Sequence, residues 1–458
     1  MPKKRPRVLR GKRQLTGELE IVNPHAAGID VGADQHWVAV PEGRDAQPVQ
    51  MFGTFTSDLE RLADWLVECG VTTVALEATG VYWIPLYEIL DQRGLQPRLV
   101  DSRSVGGRRR QKTDGIDCQW IRKLHTHGLL DAAFRPSDAF VELRSYQRQR
   151  KMLGECAADY IRRMQKALDL MNVKLHLVLS DITGVTGMRI IEAILAGKTQ
   201  PEQLAELRDP GCKNSKAVFV EALKGNYRAE HLFALAQALD LYRVHLQKIA
   251  ECDERIQATL NTLEQKADAS TLKPTAKRSK RRKNQLHFEA REVLYCIAGV
   301  DLTAVPGLEA HSVLTILSEV GTDLSAWGNA EHFAAWLNLT STRWVTGGKP
   351  IRVKAPKIRP NRAAQALRLA AQTLERSKDT YLGAFFRRIR SRIGRPGAIK
   401  ATAHKIALII YAMLKNQTEY QERGADYYER RFAARRLNSL KRQAATLGYE
   451  LTPVTVVH

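Results

Sequence analysis

Strand and helix patterns alternate along residues 21–135, and this alternation constrains the fold more than any other feature of the chain. GIDVGADQHWVAV predicts two strands around a tight turn, MFGTF predicts a third, and SDLERLADWLVECG predicts a helix. VTTVALEA and LQPRLVDS predict further strands, while GVYWIPLYEILDQRG and DCQWIRKLHTHG predict helices. Such alternation is typical of an α/β domain whose core strands are largely parallel.

The next segment, residues 136–270, has an apolar period of three and four residues, which predicts long helices. The pattern is strictest from Leu235 to Leu263, where a sustained heptad seam has Asp253 at its one polar position. Two long helices separated by a less regular stretch indicate an antiparallel coiled-coil arm, a dimer interface or an ordinary helical bundle. The pattern leaves these alternatives open.

Composition predicts the remaining boundaries. We expect a basic disordered tail at residues 1–20, a basic linker at 271–290, a mainly helical C-terminal domain at 291–425, and a basic helix and tail at 426–458. The fold class expected overall is an α/β domain, a helical middle region and a mainly α C-terminal domain.

The charge balance indicates the partner. Lys and Arg number 71 against 49 Asp and Glu, which gives a net charge of +22. Because this excess is spread over the whole chain, nucleic acid is favoured over an anionic membrane surface. The apolar run at residues 406–414 is too short to span a membrane, no signal-peptide core follows the basic N terminus, and no CxxC pair occurs. We therefore expect a cytosolic protein with reduced thiols.

Four acids predict a metal site in the α/β segment. Asp30 lies in the strand pattern GIDVG, Glu77 ends another strand, and Asp114 and Asp117 are three residues apart on one helical face. Singly each has a simpler explanation: Asp114 could cap its helix, and Glu77 could be a solvated strand end. Clustered carboxylates, however, repel each other unless a cation compensates. Mg²⁺ combines carboxylates with phosphate oxygens, and two ions can clamp a phosphodiester. The ordered set therefore predicts a Mg²⁺ site of RNase H/RuvC type, with two ions.

Basic residues and glycines near the acids and in the C-terminal domain predict contacts to phosphate, with a solvated face or a simple turn as the alternative. These candidates are Arg108, Arg109, Arg110, Lys112, Gly347, Gly348, Lys349, Arg352, Lys354 and Arg362.

The chain resembles the IS-one-ten family of insertion-sequence transposases, also called DEDD transposases. The resemblance rests on NPHAAGIDVGADQHWVAVP, LEATGVYWIPLYEIL, KTDGIDCQWIRKLHTHGLL, DITGVTGMRIIEAILAG, TGGK, NRAAQALRLAAQ and ATAHKIALIIYAML. It implies a RuvC-like domain in which Asp30, Glu77, Asp114 and Asp117 ligate Mg²⁺, then a coiled coil and a C-terminal transposase domain that supplies a serine nucleophile.

The resemblance also implies partners. Members of the family act as homo-oligomers, here a dimer or a tetramer, in which different protomers form composite sites. A structured non-coding guide RNA from the element pairs with donor and target DNA, and strand exchange passes through a covalent phosphoserine link. This implies a protein of the bacterial cytosol that associates with the nucleoid.

One position departs from the family pattern. The residue before GGK, commonly serine in the family, is Thr346 here. Its hydroxyl keeps nucleophilic attack possible, although threonine is stiffer at χ1 and its methyl group must fit beside the phosphate. Ser341, five residues earlier, is the second candidate. A copy without a competent nucleophile is the third possibility.

Three functions remain open. The first is a DNA transposase or recombinase that uses both the acids and the hydroxyl. The second is a RuvC-like structure-selective nuclease or junction resolvase, and the third is an inactivated copy that only binds nucleic acid. The four intact acids argue against the third, while Thr346 favours the second or third over the first.

Overall fold

A computed structural model describes residues 19–100, 114–274, 284–340, 344–346, 349–351 and 361–452. The described residues divide into two compact units on either side of the Arg135–Pro136 bond, each with its own buried apolar cluster. Most of the expected basic tail, and residues 275–283 of the expected linker, lie outside the described residues. The further boundaries expected within residues 136–458 stay predictions.

The N-terminal unit combines one sheet with helices. Its strands are β1 (Ala26–Val31), β2 (His36–Ala39), β3 (Val49–Phe52), β4 (Thr73–Glu77) and β5 (Gln96–Val100). Its described helices are α1 (Thr56–Glu68), α2 (Trp83–Gln92) and α3 (Asp114–Thr126). The strand order is β3-β2-β1-β4-β5. Strands β1, β4 and β5 are parallel, while β2 and β3 continue from β1 as an antiparallel meander. The expected α/β fold is confirmed, with a mixed sheet.

The two faces of the sheet are covered differently. On one face, Ile29 and Leu76 belong to an apolar cluster with Leu62 of α1 and Leu86 of α2. The opposite face carries Gly28 and Ala75, and we call it the α3 face because α3 packs on it. Small residues in these two strands let the helix backbone approach the sheet closely.

The C-terminal unit is mainly helical. Its described helices are α4 (Asp138–Leu170), α5 (Leu175–Val178), α6 (Val185–Leu195), α7 (Pro201–Glu206), α8 (Lys216–Ala222), α9 (Ala229–Thr262), α10 (Ala290–Ala298), α11 (Ala310–Val320), α12 (Ala330–Trp336), α13 (Arg362–Thr373), α14 (Tyr381–Asn416) and α15 (Gly424–Thr446). Short 3₁₀ turns occur at Ala269–Thr271, Leu302–Ala304 and Leu374–Arg376. Strands β6 (Trp344–Thr346) and β7 (Lys349–Ile351) form a small antiparallel pair.

The long helices α4 and α9 pack against each other along their lengths and run in opposite directions. Thr259 donates a hydrogen bond to Glu142 over 3.5 Å near one end of the pair, and the rings of Tyr160 and His245 lie 5.1 Å apart farther along. The polar seam position, Asp253, is buried and paired with Arg150 of α4. The sequence thus predicted two long paired helices, and their winding into a coiled coil stays a prediction.

Helix α14 is, among the described residues, the one helix long and apolar enough to cross a membrane. Within its most apolar stretch, 50% of the helix is buried inside the protein. The helix bends at Gly394, where φ is 80°, and Pro396 follows. It packs on α12 and α13, and Tyr411 donates a hydrogen bond to the carbonyl oxygen of Trp327 over 2.8 Å. Such packing is typical of a core helix.

Candidate active site

Asp30 and Glu77 lie side by side at the carboxyl ends of two parallel strands. Ile29 of β1 is opposite Leu76 of β4, so the next residue along each strand is an acid. Neighbouring strands are about 4.8 Å apart, and residues in one row share a face. Both carboxylates therefore lie on the α3 face, and both residues are half-buried. Ligands of open α/β sheets bind at this carboxyl edge.

Helix α3 begins at that same edge. A Cβ on its Gly115 would lie 3.5 Å from the indole of Trp37, which is opposite Asp30 in the β1–β2 ladder. Toward its other end, His125 reaches Thr73 at the start of β4. The helix therefore runs antiparallel to β1 and β4, and its first turn lies beside Asp30.

The buried Cys118 thiol feels the charge of one helix acid, Asp117, and of the strand acid Asp30. Burial and, to a smaller extent, the negative charges of Asp30 and Asp117 together raise the pKa of this thiol to about 12. Cys118 also donates a hydrogen bond to the carbonyl oxygen of Gly115 over 3.2 Å. Asp30 and Asp117 thus lie close enough to one buried thiol for both charges to act on it.

Asp114 is placed differently from the other three acids. It is the first residue of α3 and is exposed, whereas Asp117, one turn later, is half-buried. Within the described ranges, no group of three or more His, Cys, Asp and Glu side chains is close enough to hold a metal ion. The Asp30–Glu77 row nevertheless has the donor chemistry that Mg²⁺ uses, because this ion commonly takes one or two carboxylates and completes its shell with water and phosphate oxygens.

The far end of α3 is held by His125, for which the sequence left open a structural and a phosphate-facing role. His125 is buried, and its Nε2 lies 3.0 Å from Thr73 Oγ1. Burial and, to a smaller extent, the positive charge of Arg98 together lower the pKa of His125 to about 4. The imidazole is therefore neutral near pH 7. A sequence signal exists, since His125 continues the three-and-four spacing of the buried Cys118 and Ile121.

Most of the predicted phosphate contacts lie outside the described residues. These are Arg108, Arg109, Arg110, Lys112, Gly347, Gly348, Arg352 and Lys354, and Ser341 lies outside them too. Thr346 and Lys349 are opposite each other in the β6–β7 ladder. Arg362 is exposed at the first residue of α13, whose cap Asn361 accepts a hydrogen bond from the Ala364 amide over 3.0 Å.

Residues 27–173 match the family model of the DEDD transposases of the IS110 family, which is described as Transposase. The chain resembles an IS110-family transposase. The matched transposase segment begins one residue after the start of β1, ends just beyond α4, and contains Asp30, Glu77, Asp114 and Asp117. It supports a transposase or recombinase that acts on DNA. No curated protein matches the chain.

Proposed function

We propose that this chain is the DNA transposase of an insertion sequence, which cleaves and exchanges DNA strands in a Mg²⁺-dependent reaction. The observation that carries the proposal is the Asp30–Glu77 row at the carboxyl ends of β1 and β4, beside the first turn of α3. This row lies within the segment that matches the transposase family. The five-stranded mixed sheet supports a RuvC-like fold for the domain.

In this proposal Asp30 and Glu77 would hold the first ion, and Asp117 with Asp114 would complete the set for a second. Bound Mg²⁺ would neutralise charge on the scissile phosphate and polarise its oxygens. The chain itself orients the donors. Close packing of α3 at Gly28 fixes the first turn of the helix beside Asp30. The positive end of the α3 dipole offsets part of the repulsion among the carboxylates.

The proposed nucleophile is the Thr346 hydroxyl, and Ser341 is the second candidate. The threonine oxygen forms a bond to phosphorus while the bond from phosphorus to the leaving sugar oxygen breaks. The hydroxyl proton passes to a base, and the leaving oxygen takes up a proton. The product is a phosphothreonine link to DNA, which conserves the energy of the broken phosphodiester for rejoining.

The partners follow from charge and from the family resemblance. A chain with a net charge of +22 suits a reaction in which base pairing reads the sequence and the protein contacts phosphate and shape. We therefore propose that the chain binds a structured non-coding guide RNA and acts as a homo-oligomer with composite sites. We also propose that it works in the bacterial cytosol, at the nucleoid. The predicted phosphate contacts from Arg108 to Lys112 and from Gly347 to Arg362 belong to this proposal.

One feature favours a second candidate. Thr346 stands where the family commonly has serine, and a misplacement of about 1 Å can cost roughly 100-fold in rate. A chain with working acids and an incompetent hydroxyl would be a RuvC-like nuclease or junction resolvase. A chain in which the acids also fail would only bind nucleic acid.

A single experiment separates these functions. The full chain is incubated with Mg²⁺ and end-labelled DNA that spans the flanks of its own gene, and the products are separated on a denaturing gel. A protein-linked strand that disappears in Thr346→Ala supports the transposase. Hydrolytic nicks without a linked strand indicate the nuclease, and tight binding without cleavage indicates a binding protein.

A further inference from the structure

Among the described residues, helix α15 is attached to the rest of the C-terminal unit near its start. The ring of Tyr428 meets Tyr381 of α14 edge-on at 5.1 Å and Phe385 at 6.0 Å. The Arg388 guanidinium lies over the ring of Phe432. After Phe432, every residue of α15 is exposed except Ala444, which is half-buried. The described structure therefore anchors the first turns of α15 and leaves its remaining turns exposed to solvent.

The exposed turns carry positive charge that nothing in the described chain neutralises. The last acid on the helix is Glu429. Beyond it lie the cations Arg430, Arg431, Arg435, Arg436, Lys441 and Arg442. In the part of the chain that the structure describes, none of them forms an ion pair with a carboxylate. Arg431 and Arg435 are also four residues apart on one face, a spacing at which like charges destabilise a helix.

The arrangement of these cations on the helix suits binding in a groove of double-stranded nucleic acid. At about 100° per residue, all of them except Arg436 fall within an arc of about 140°, and Arg430 to Arg442 spans about 18 Å along the axis. Leu437 and Leu440 lie outside that arc. The major groove of B-DNA is about 12 Å wide and admits a helix between two rows of phosphates. The major groove of A-form RNA is too narrow for this.

We propose that α15 binds the phosphate backbone of duplex DNA through Arg430, Arg431, Arg435, Lys441 and Arg442. This surface adds affinity without reading sequence, because bonds to phosphate carry no sequence information. This proposal rests on the proposed function only in taking DNA as the partner. It needs neither the acids nor Thr346, so it can be tested whether or not the chain cleaves DNA.

The test measures how binding depends on salt. Fluorescence anisotropy with a labelled duplex of random sequence gives the slope of log affinity against log salt, and this slope has a magnitude of about 0.9 for each phosphate that the protein neutralises. The test variant changes all five cations to glutamine in the full chain. We expect its slope to be shallower by about 4.5, since each of the five cations is assigned one phosphate.

A matched control removes the same charge elsewhere. Each of its five cations has an acid as an ion-pair partner, and each is changed to glutamine: Arg162, Lys216, Lys224, Arg243 and Lys248. We expect this control to change the slope far less. If the slope changed equally in the two variants, the net charge of the chain alone would explain the effect, and the proposal would be overturned.

Two further binding experiments test whether the phosphate that α15 binds belongs to DNA, RNA or a membrane lipid. An RNA duplex of equal length should bind the α15 variant and the parent with similar affinity, and a decrease as large as that for DNA would overturn the assignment to DNA. Vesicles of equal phosphatidylcholine and phosphatidylserine should bind neither protein. Vesicle binding that is abolished in the α15 variant would assign the helix to a membrane surface. Circular dichroism should show an unchanged helix content in the α15 variant.

Discussion

A side-chain carbon on Gly28 of β1 would overlap the backbone nitrogen of Arg122 in α3, and it would come within 2.5 Å of the carbonyl oxygen of Cys118. The sheet and the helix therefore meet backbone to backbone, two residues before Asp30. The contact requires glycine because of space, since Gly28 is not among the glycines with positive φ. The identity of this residue sets how closely the first turn of α3 approaches Asp30.

Gly28→Ala should displace α3 from the sheet. Overpacking of this kind typically costs about 1–3 kcal/mol. We expect faster amide hydrogen exchange across residues 114–126, measured by mass spectrometry, and DNA cleavage reduced by about 100-fold through misplacement of Asp117. Gly154→Ala is the control, because nothing lies within 4 Å of a Cβ at that helical position and alanine is the better helix former. Unchanged exchange in the Gly28 variant would contradict this role of close packing.

The buried ion pair between α4 and α9 should be strongly coupled. Arg150 Nε donates to Asp253 Oδ1 over 2.5 Å, and the two side chains are exposed by only 7% and 1%. Removal of one partner leaves a buried charge, so Arg150→Met should lower the free energy of unfolding by about 3–5 kcal/mol. Urea unfolding followed by circular dichroism measures this.

The double variant Arg150→Met with Asp253→Leu provides the matching control. It removes both charges, so it should be markedly more stable than Arg150→Met alone. Additive losses of stability from the two substitutions would show that the pair is not coupled, and would indicate that the helices are held by their apolar seam alone.

The buried His125 and the half-buried His311 should make stability fall in mild acid. Burial lowers the pKa of His125 and of His311 from 6.5 to about 4. Below about pH 6.5 the unfolded chain takes up protons that the folded chain does not, so stability is complete above pH 6.5 and is lost as the pH falls toward 4. Each site contributes a slope of up to about 1.4 kcal/mol per pH unit. His125→Gln should remove one contribution, and unfolding curves between these pH values that keep the parent slope would contradict the assignment.

The sequence predicted the strands and the helix that carry the four acids better than it predicted how these elements pack together. Strand ends meet at one edge of a parallel sheet, so the strand patterns that end at Glu77 and contain Asp30 already implied a shared edge. The exposed position of Asp114 and the contact at Gly28 could not be predicted, because both depend on where α3 packs in three dimensions. The seam position Asp253 was recognised as polar, but its partner Arg150 lies 103 residues away and no local pattern identifies it.

Thr346 provides a direct test of the departure from the family pattern. If its hydroxyl is the nucleophile, Thr346→Ala abolishes the protein-linked DNA strand, while Thr346→Ser keeps it because the hydroxyl remains and the methyl group is removed. A denaturing gel of the reaction with labelled DNA measures the linked strand. A linked strand that survives Thr346→Ala and disappears in Ser341→Ala would transfer the role to Ser341.

The most direct test of the central claim is Mg²⁺-dependent cleavage of labelled DNA by Asp30→Asn and Glu77→Gln, with Glu42→Gln as an exposed carboxylate control in the same unit. We predict that the first two variants lose cleavage at every Mg²⁺ concentration but bind DNA with parent affinity, and that the control cleaves normally. Normal cleavage by either Asp30→Asn or Glu77→Gln would contradict the proposed catalytic role of the two acids.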